Sequence, residues 1–370
     1  MSVTVLYGEL RTGRITGSID VTTAPWSVVA NGPGRIKTEI AEHIVRDLDL
    51  RNNAQAARCF LAVDVDGRIQ EAGPIWSRTW NDDDGVLTLG AAGLWSLFDH
   101  RHVLELADAG TPIQSRSVTL DTLTLGGIGK GLVALAMQWA GGNLPLVMGI
   151  GATAGDHTET FPGWKLLKVG DQLRELTARE AGAPDIRFRP RYQADRRFIE
   201  WVMDTGDEDQ PLLTQVGADW VFDATARKGP VVSINTDEDA TVMGMWAFET
   251  GQGNEEDTLM AWAYDRTLVD AGWPLLEVSE LRSTVSDLGT LSGHADNLLA
   301  RSARPIETWT VTVRAAAAAE VLPGDYCQVV PRTSSAWLGL EGTAFMRVKT
   351  KSGDLGDNIK LEMYAVAGRL

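Results

Sequence analysis

Apolar and polar positions alternate in short runs over most of the chain, and the pattern is densest between Arg58 and His102. An apolar run from Cys59 to Val63 leads into Asp64-Val65-Asp66-Gly67, and an Asp-Gly pair between apolar runs predicts a β-hairpin. In Ala72-Gly73-Pro74-Ile75-Trp76 the proline has no ladder donor and pushes its predecessor out of the helical region, which marks a strand start or an edge. A second turn is predicted over the acidic cluster from Asn81 to Gly85. Val86, Leu87, Thr88 and Leu89 then have strand composition and length, and Ala92 to Phe98 closes the unit as a short apolar segment of helical character.

The same reading extends in both directions. Residues 1–35 read as short strands separated by glycine and proline, with Ile15, Ile19 and Val21 alternating with polar residues as on a half-solvated antiparallel strand. In residues 36–50, Ile40, Ile44, Val45 and Leu48 fit a helical stripe, while a resemblance to a known family, given below, implies a strand and a loop. Leu132, Leu135, Ala136 and Trp139 recur at helical spacing before Gly141-Gly142. A second helix is predicted from about Asp171 to Ala181, with Leu173 and Leu176 on one face, Gly182 after it and Pro184 beyond. From 193 to 252 short strands alternate with acidic turns at 204–210 and 237–239. A helix is predicted from about Glu255 to Ala271, capped by Asn254 and stopped by Gly272 and Pro274, and another near Ser286 to Ser302 carrying Leu291, Ala295, Leu298 and Leu299. The chain then returns to strands in TWTVTVRA, DYCQVV, TAFMRVKT and NIKLEMYAV, spaced as in a small barrel or a share of one. No repeat of 20 to 50 residues stands out.

Composition narrows the class. At 370 residues the chain exceeds the usual size of one hydrophobic core, and its 44% hydrophobic and 23% charged residues are ordinary globular values. The formal charge of −16 argues against binding nucleic acid by phosphate neutralisation; it does not exclude a conduit, because an acidic wall repels DNA and lets it pass without sticking. Thirteen tryptophans favour large cores and interfaces. Trp76, Trp80 and Trp95 are candidate subunit anchors, each equally suited to a core. Cys59 and Cys327 lie in strand-like runs and are expected to be buried free thiols. The N-terminal stretch has no apolar signal region and no apolar run is long enough to cross a bilayer, so synthesis and folding in a cytoplasm are expected.

Clusters of ionisable residues offer little chemistry. Asp99-His100-Arg101-His102 is the densest; it lacks a third ligand at a metal-site spacing and reads as a structural turn with an Asp-Arg pair. Gly126-Gly127-Ile128-Gly129-Lys130-Gly131 invites a phosphate-loop reading, but the motif requires glycine where Thr124 stands and serine or threonine where Gly131 stands, so a flexible loop before a helix is expected. Asp82-Asp83-Asp84-Gly85 has no EF-hand spacing and reads as a solvated turn, as does the stretch from Asp204 to Asp209. Neither H-E-x-x-H nor G-x-S-x-G occurs, and neither cysteine has a nucleophile context. No catalytic, cofactor-binding or metal-binding residue is assigned.

Two stretches resemble a known family. The succession carried by Gly73, Ile75, Leu87, Leu89, Gly93, Leu94, Ser96, Phe98, Asp99 and Arg101 resembles the minor tail, or tail-hub, proteins of long-tailed (siphovirus) bacteriophages, particularly those infecting actinobacteria. Leu173, Leu176, Gly182, Pro184, Asp185, Ile186, Phe188 and Pro190 match a second motif of the same family. The resemblance covers most of the chain through scattered motifs, least over 193–250. It implies a β-rich α+β multidomain protein with two β-barrel-like tube domains flanking mixed α/β middle domains. The corresponding boundaries are an N-terminal β-barrel-like domain at 1–125, a mixed α/β domain at 126–235, a helical or α+β segment at 236–305 and a C-terminal β domain at 306–370. It also implies a structural, non-enzymatic homotrimer in the virion, the hub at the tail tip, linking the six-fold tail tube and distal tail protein to the three-fold tip and lining the DNA ejection channel, with the tape measure protein and other minor tail or fibre proteins as further partners. No cofactor is expected. A tail-tip protein that binds or degrades host wall glycan, and another minor tail adaptor, are the alternative readings.

Overall fold

The computed structural model describes residues 2–108, 110–179, 182–282, 285–338 and 342–366. The alternating N-terminal stretch forms the antiparallel pair β1 (Val3–Glu9) and β2 (Ile15–Ile19). After β3 (Trp26–Val29), β4 (Arg35–Ala41) buries Ile36, Thr38 and Ile40 and exposes Arg35 and Lys37, a strand period of two. Both readings of residues 36–50 are therefore partly met, because the strand gives way to the short helices α1 (Glu42–Asp47) and α2 (Leu50–Asn53).

The predicted hairpin joins β5 (Cys59–Val65) to β6 (Arg68–Asn81), with Asp66 and Gly67 at φ 50° and 83° in the left-handed region that such a turn demands. All seven residues of β5 are buried, Asp64 among them, which explains why the stretch from Cys59 to Val63 is a continuous apolar run without alternation. The second turn joins β6 to β7 (Val86–Ala92), and the helical segment α3 (Trp95–Phe98) buries Trp95 and Phe98. Gly73 sits where a Cβ would lie 1.8 Å from the Ala92 carbonyl oxygen. Gly73→Ala should therefore destabilise the protein by about 1–3 kcal/mol through forced backbone separation, measurable as a lowered midpoint in urea.

The middle of the chain supplies β8 (Val118–Leu123), α4 (Leu125–Gln138), β9 (Leu146–Met148), β10 (His157–Phe161), α5 (Val169–Thr177), β11 (Ile186–Tyr192) and β12 (Ile199–Thr205). β8 pairs with β10, while β12 lies between antiparallel β11 and parallel β9. The Gly126–Gly131 stretch is not a loop before a helix; it forms the first turns of α4 itself, capped by the Thr124 hydroxyl, which accepts from Gly127 N at 2.8 Å. Its glycines allow close packing, since a Cβ at Gly126 would stand 2.1 Å from the Gly206 carbonyl oxygen. α5 ends at Thr177, and Ala181, the predicted end of that helix, lies outside the described residues. Here the core packs Phe60, Trp95, Phe98, Leu132, Leu173, Phe188 and Trp201 together, with Phe98 stacked on Phe188 at 5.4 Å between ring centres.

The remaining elements are β13 (Trp220–Asp223), β14 (Val231–Asp239), β15 (Trp246–Thr250), β16 (Met260–Tyr264), α6 (Thr267–Asp270), β17 (Glu277–Leu281), α7 (Leu288–Ser302), β18 (Ile306–Arg314), α8 (Ala315–Ala318), β19 (Tyr326–Val330), β20 (Ala344–Gly353) and β21 (Asn358–Ala365). One sheet runs in the order β14-β18-β21-β20-β3-β4-β7-β6-β5-β1-β2, with β19 and β13 branching from β20. Strands from the two ends of the chain thus share a sheet, joined where Thr350 to Gly353 pair with Val29 to Trp26. Two compact units result, residues 1–234 with 310–370 (unit 1) and residues 235–309 (unit 2). In unit 2 the single helix predicted over 255–271 is a 3₁₀ turn at Glu255–Asp257 followed by β16 and α6. Ala261 and Ala263 face inward while Met260, Trp262 and Tyr264 face out, a period of two hidden behind strong helix start and stop signals. Asn254 makes no side-chain capping bond. α7 forms as predicted, capped by Asp287 and burying Leu291, Ala295 and Leu298. The acidic residues 237–239 belong to β14 and not to a turn.

Candidate functional site

The positions singled out in the sequence scatter. Asp99 does pair with an arginine, but with Arg174 of α5 at 2.7 Å and not with Arg101. His100 lies against the Trp76 ring at 4.6 Å, and His102 Nδ1 is 2.8 Å from the Leu166 carbonyl oxygen. Among the described residues no group of three His, Cys, Asp or Glu side chains is placed to hold a metal ion. Asp82, Asp83 and Asp84 sit exposed at the β6–β7 turn, where Trp80 Nε1 donates to Asp82 at 3.0 Å. Of the three candidate anchors, Trp95 is fully buried, Trp76 is half-buried with Nε1 donating to the Ser96 hydroxyl, and Trp80 alone is exposed. Cys59 and Cys327 are buried free thiols, and burial pushes both thiol pKa values up.

What the fold gathers is a set of buried charges in unit 1. Asp185 of the Gly-x-Pro-Asp-Ile motif is 5% exposed. Its Oδ1 accepts from Asn31 Nδ2 at 2.9 Å, and its Oδ2 accepts from Leu213 N at 2.8 Å and from the Arg347 guanidinium. Asn31 Oδ1 in turn accepts from Ile186 N at 2.8 Å. Arg347 also donates to the Gly324 and Leu213 carbonyls and to the Tyr364 hydroxyl. Burial works against the Arg347 charge, but Asp185 and Tyr364 more than offset it and raise its pKa. One carboxylate therefore ties together the β3–β4 loop, the start of β11, the loop at 213 and strand β20.

A second buried carboxylate stands beside it. Asp204, read from sequence as part of a solvated turn, is the penultimate residue of β12 and is 2% exposed. It lies 3.4 Å from both the Arg187 and Arg189 guanidinium groups. Lys130 of α4 is also buried and donates to the carbonyls of Gly149, Ile150 and Gly151 at 2.8–3.1 Å, so the lysine of the glycine-rich motif fastens a loop instead of holding a phosphate. The solvated part of the acidic stretch begins beyond Gly206, where Asp207 accepts from Ala152 N and Gln210 N and is held below the usual carboxylate range. Glu71 is buried on β6, accepts from Ala72 N at 2.9 Å and is pushed up to about 8 by burial. These groups share no cleft with a nucleophile among the described residues. Their partners are backbone groups, opposite charges and the side chains of Asn31 and Tyr364, an arrangement that fixes strands in register.

Unit 2 offers a different surface. One face of its three-stranded sheet packs Ala261, Ala263 and Glu249 toward α7. The other carries Trp246, Phe248, Trp262 and Tyr264, with Trp246 4.9, 6.2 and 5.4 Å from the other three rings, and Trp262 is 64% exposed.

No protein-family model matches the sequence, and no curated protein matches it. Solved structures do. The tail protein from Neisseria meningitidis MC58 is 16% identical, with a TM-score of 0.57 over 98% of this chain and 97% of that one. The chain shares the fold of that tail protein. The 43 kDa tail protein of prophage MuSo2 from Shewanella oneidensis is 10% identical, with a TM-score of 0.57 over 99% and 98% of the two chains. An E. coli component of the type VI secretion system, itself similar in structure to the T4 bacteriophage tail proteins gp27 and gp5, is 12% identical, with a TM-score of 0.50 over 95% and 75%. At these identities the likeness is one of fold, and it runs the length of the chain.

Proposed function

We propose that this protein is a structural component of a phage tail tip, the hub that joins the six-fold tail tube and distal tail protein to the three-fold tip. The observation that carries this reading is the likeness to tail proteins over nearly the whole length of both chains. The mechanism is geometric. The N-terminal and C-terminal strands of the shared sheet act as two tube-like lobes per subunit, so three subunits present six lobes around a channel. DNA and the tape measure protein pass through that channel, and the net charge of −16 keeps DNA from adhering to its wall. The edge strands β2 and β14 leave backbone groups for pairing between subunits. The buried Asp185 and Asp204 clusters make the lobes rigid, and the role requires no cofactor and no catalysis.

Light scattering on the purified chain, with negative-stain images of the same sample, tests the reading. The expected result is a particle of three chains of 40.1 kDa each with a central hole. A monomer that no other tail protein recruits into a ring would overturn it. The aromatic face of unit 2 favours a second reading, a tail-tip module that stacks on host wall glycan. A monomer retained on host wall polysaccharide would put that reading first.

A further inference from the structure

The chain is strongly acidic, yet one cavity of unit 1 gathers cations. It has a volume of about 360 Å³, and its charged lining is Arg68, Arg189, Arg191, Arg196 and Lys351 against a single carboxylate, Glu320. The β5–β6 turn, β11 and the turn after it, the segment following α8 and strand β20 all contribute. The arginines are held in place before any ligand arrives. Arg68 pairs with Glu320, and Arg191 grips Glu200 through two nitrogens at 2.7 and 2.6 Å. Arg196 lies over the Tyr192 ring at 4.2 Å and donates to the Gly67 carbonyl at 3.1 Å. Arg68, Arg191 and Arg196 nonetheless remain about half-exposed, with donors still open to the cavity.

Lys351 is the deepest of these cations, 1% exposed, with Nζ donating at 3.0 Å to the carbonyls of Ala319 and Val321. Both acceptors are neutral. Burial lowers its pKa to about 7 against the pull of Asp325, and Arg68 pushes the same way. A buried ammonium ion beside further cations is costly to keep, and a bound anion offsets that cost.

We propose that this cavity binds a short acidic peptide segment of a partner protein, its carboxylates meeting Arg68, Arg191 and Arg196 over the buried charge of Lys351. The cavity also has an apolar share of lining in Ile69, Leu322 and Pro323, which suits peptide side chains better than a bare inorganic anion. A long polyanion is disfavoured, because the chain outside this cavity is more negative than its total of −16. Forked guanidinium groups match carboxylates bidentately, and their fixed positions limit the entropy lost on binding. The cavity's own charges carry this inference, and it holds whether or not the chain forms a ring.

The experiment is calorimetric titration of the full chain with hexaglutamate, with inorganic phosphate and a single-stranded oligodeoxynucleotide as comparison ligands. Saturable binding of hexaglutamate is expected, weaker by about tenfold or more in the Arg68→Gln, Arg196→Gln double variant and weakened also by salt. Both side chains are exposed, so the variant should unfold at the wild-type temperature; Arg191→Gln, on β11, gives an independent second variant. Absence of peptide binding would overturn the inference, as would binding that both variants leave unchanged. Binding of phosphate or the oligonucleotide without the peptide would also overturn it.

Discussion

Replacing Asp185 with alanine should destabilise the protein by about 3–5 kcal/mol, the cost of leaving a buried partner charge alone. Asp185 and Arg347 are 5% and 6% exposed, so water cannot take the place of the lost carboxylate. The same change strips an acceptor from Leu213 N and from the Asn31 side chain, both part of the same junction. Urea unfolding followed by tryptophan fluorescence measures the loss. The paired change Asp185→Leu with Arg347→Met removes both charges together and should cost much less than Asp185→Ala alone. A single-variant loss below about 1 kcal/mol would mean that the pair is not the clamp described above.

The stability of the wild-type protein relative to Glu71→Gln should fall as pH rises from about 4.5 to about 8. Burial pushes the Glu71 carboxyl up to about 8 from its ordinary value of 4.5. The direction follows from proton counting. Below 4.5 the group is protonated in both folded and unfolded chains and imposes no penalty. Between 4.5 and 8 the folded chain keeps a proton that the unfolded chain has released, so stability is lost at about 1.4 kcal/mol per pH unit. Above 8 the penalty is complete and the curve flattens, for a total on the order of 5 kcal/mol. The glutamine side chain imitates the neutral acid and should remove this dependence. Paired denaturation curves at about pH 5, 7 and 9 decide the matter, and parallel stabilities across that range would show that Glu71 is not held protonated.

Both predictions place the protein's ionisable groups in its framework. Asp185, Asp204, Glu71, Arg347 and Lys130 are buried and bonded to backbone or to opposite charge. The half-exposed arginines around Lys351 stand apart from them, because their donors still face a cavity.

Local rules determined much of this molecule. The Asp66-Gly67 turn, the strands on either side of it, the helix α7 and the four C-terminal strands were legible because turn chemistry, capping and side-chain period act within a few residues. The Gly182-to-Pro190 motif contains Asp185 without marking it out, and its resemblance led to the tail-protein fold that the solved structures share. Distance along the chain hid the rest. Nothing near Asp185 announces Arg347, 162 positions away, and nothing in Asp204 distinguishes a buried carboxylate from its solvated neighbours Asp207 and Asp209. The helix signals around 255–271 failed because packing of Ala261 and Ala263 toward α7 outweighed local propensity. The joining of β3 to β20, the burial of Lys130 and the gathering of five cations into one cavity are likewise products of tertiary structure. Sequence period tells a segment which face to bury; only the assembled sheet decides which distant segment it is buried against.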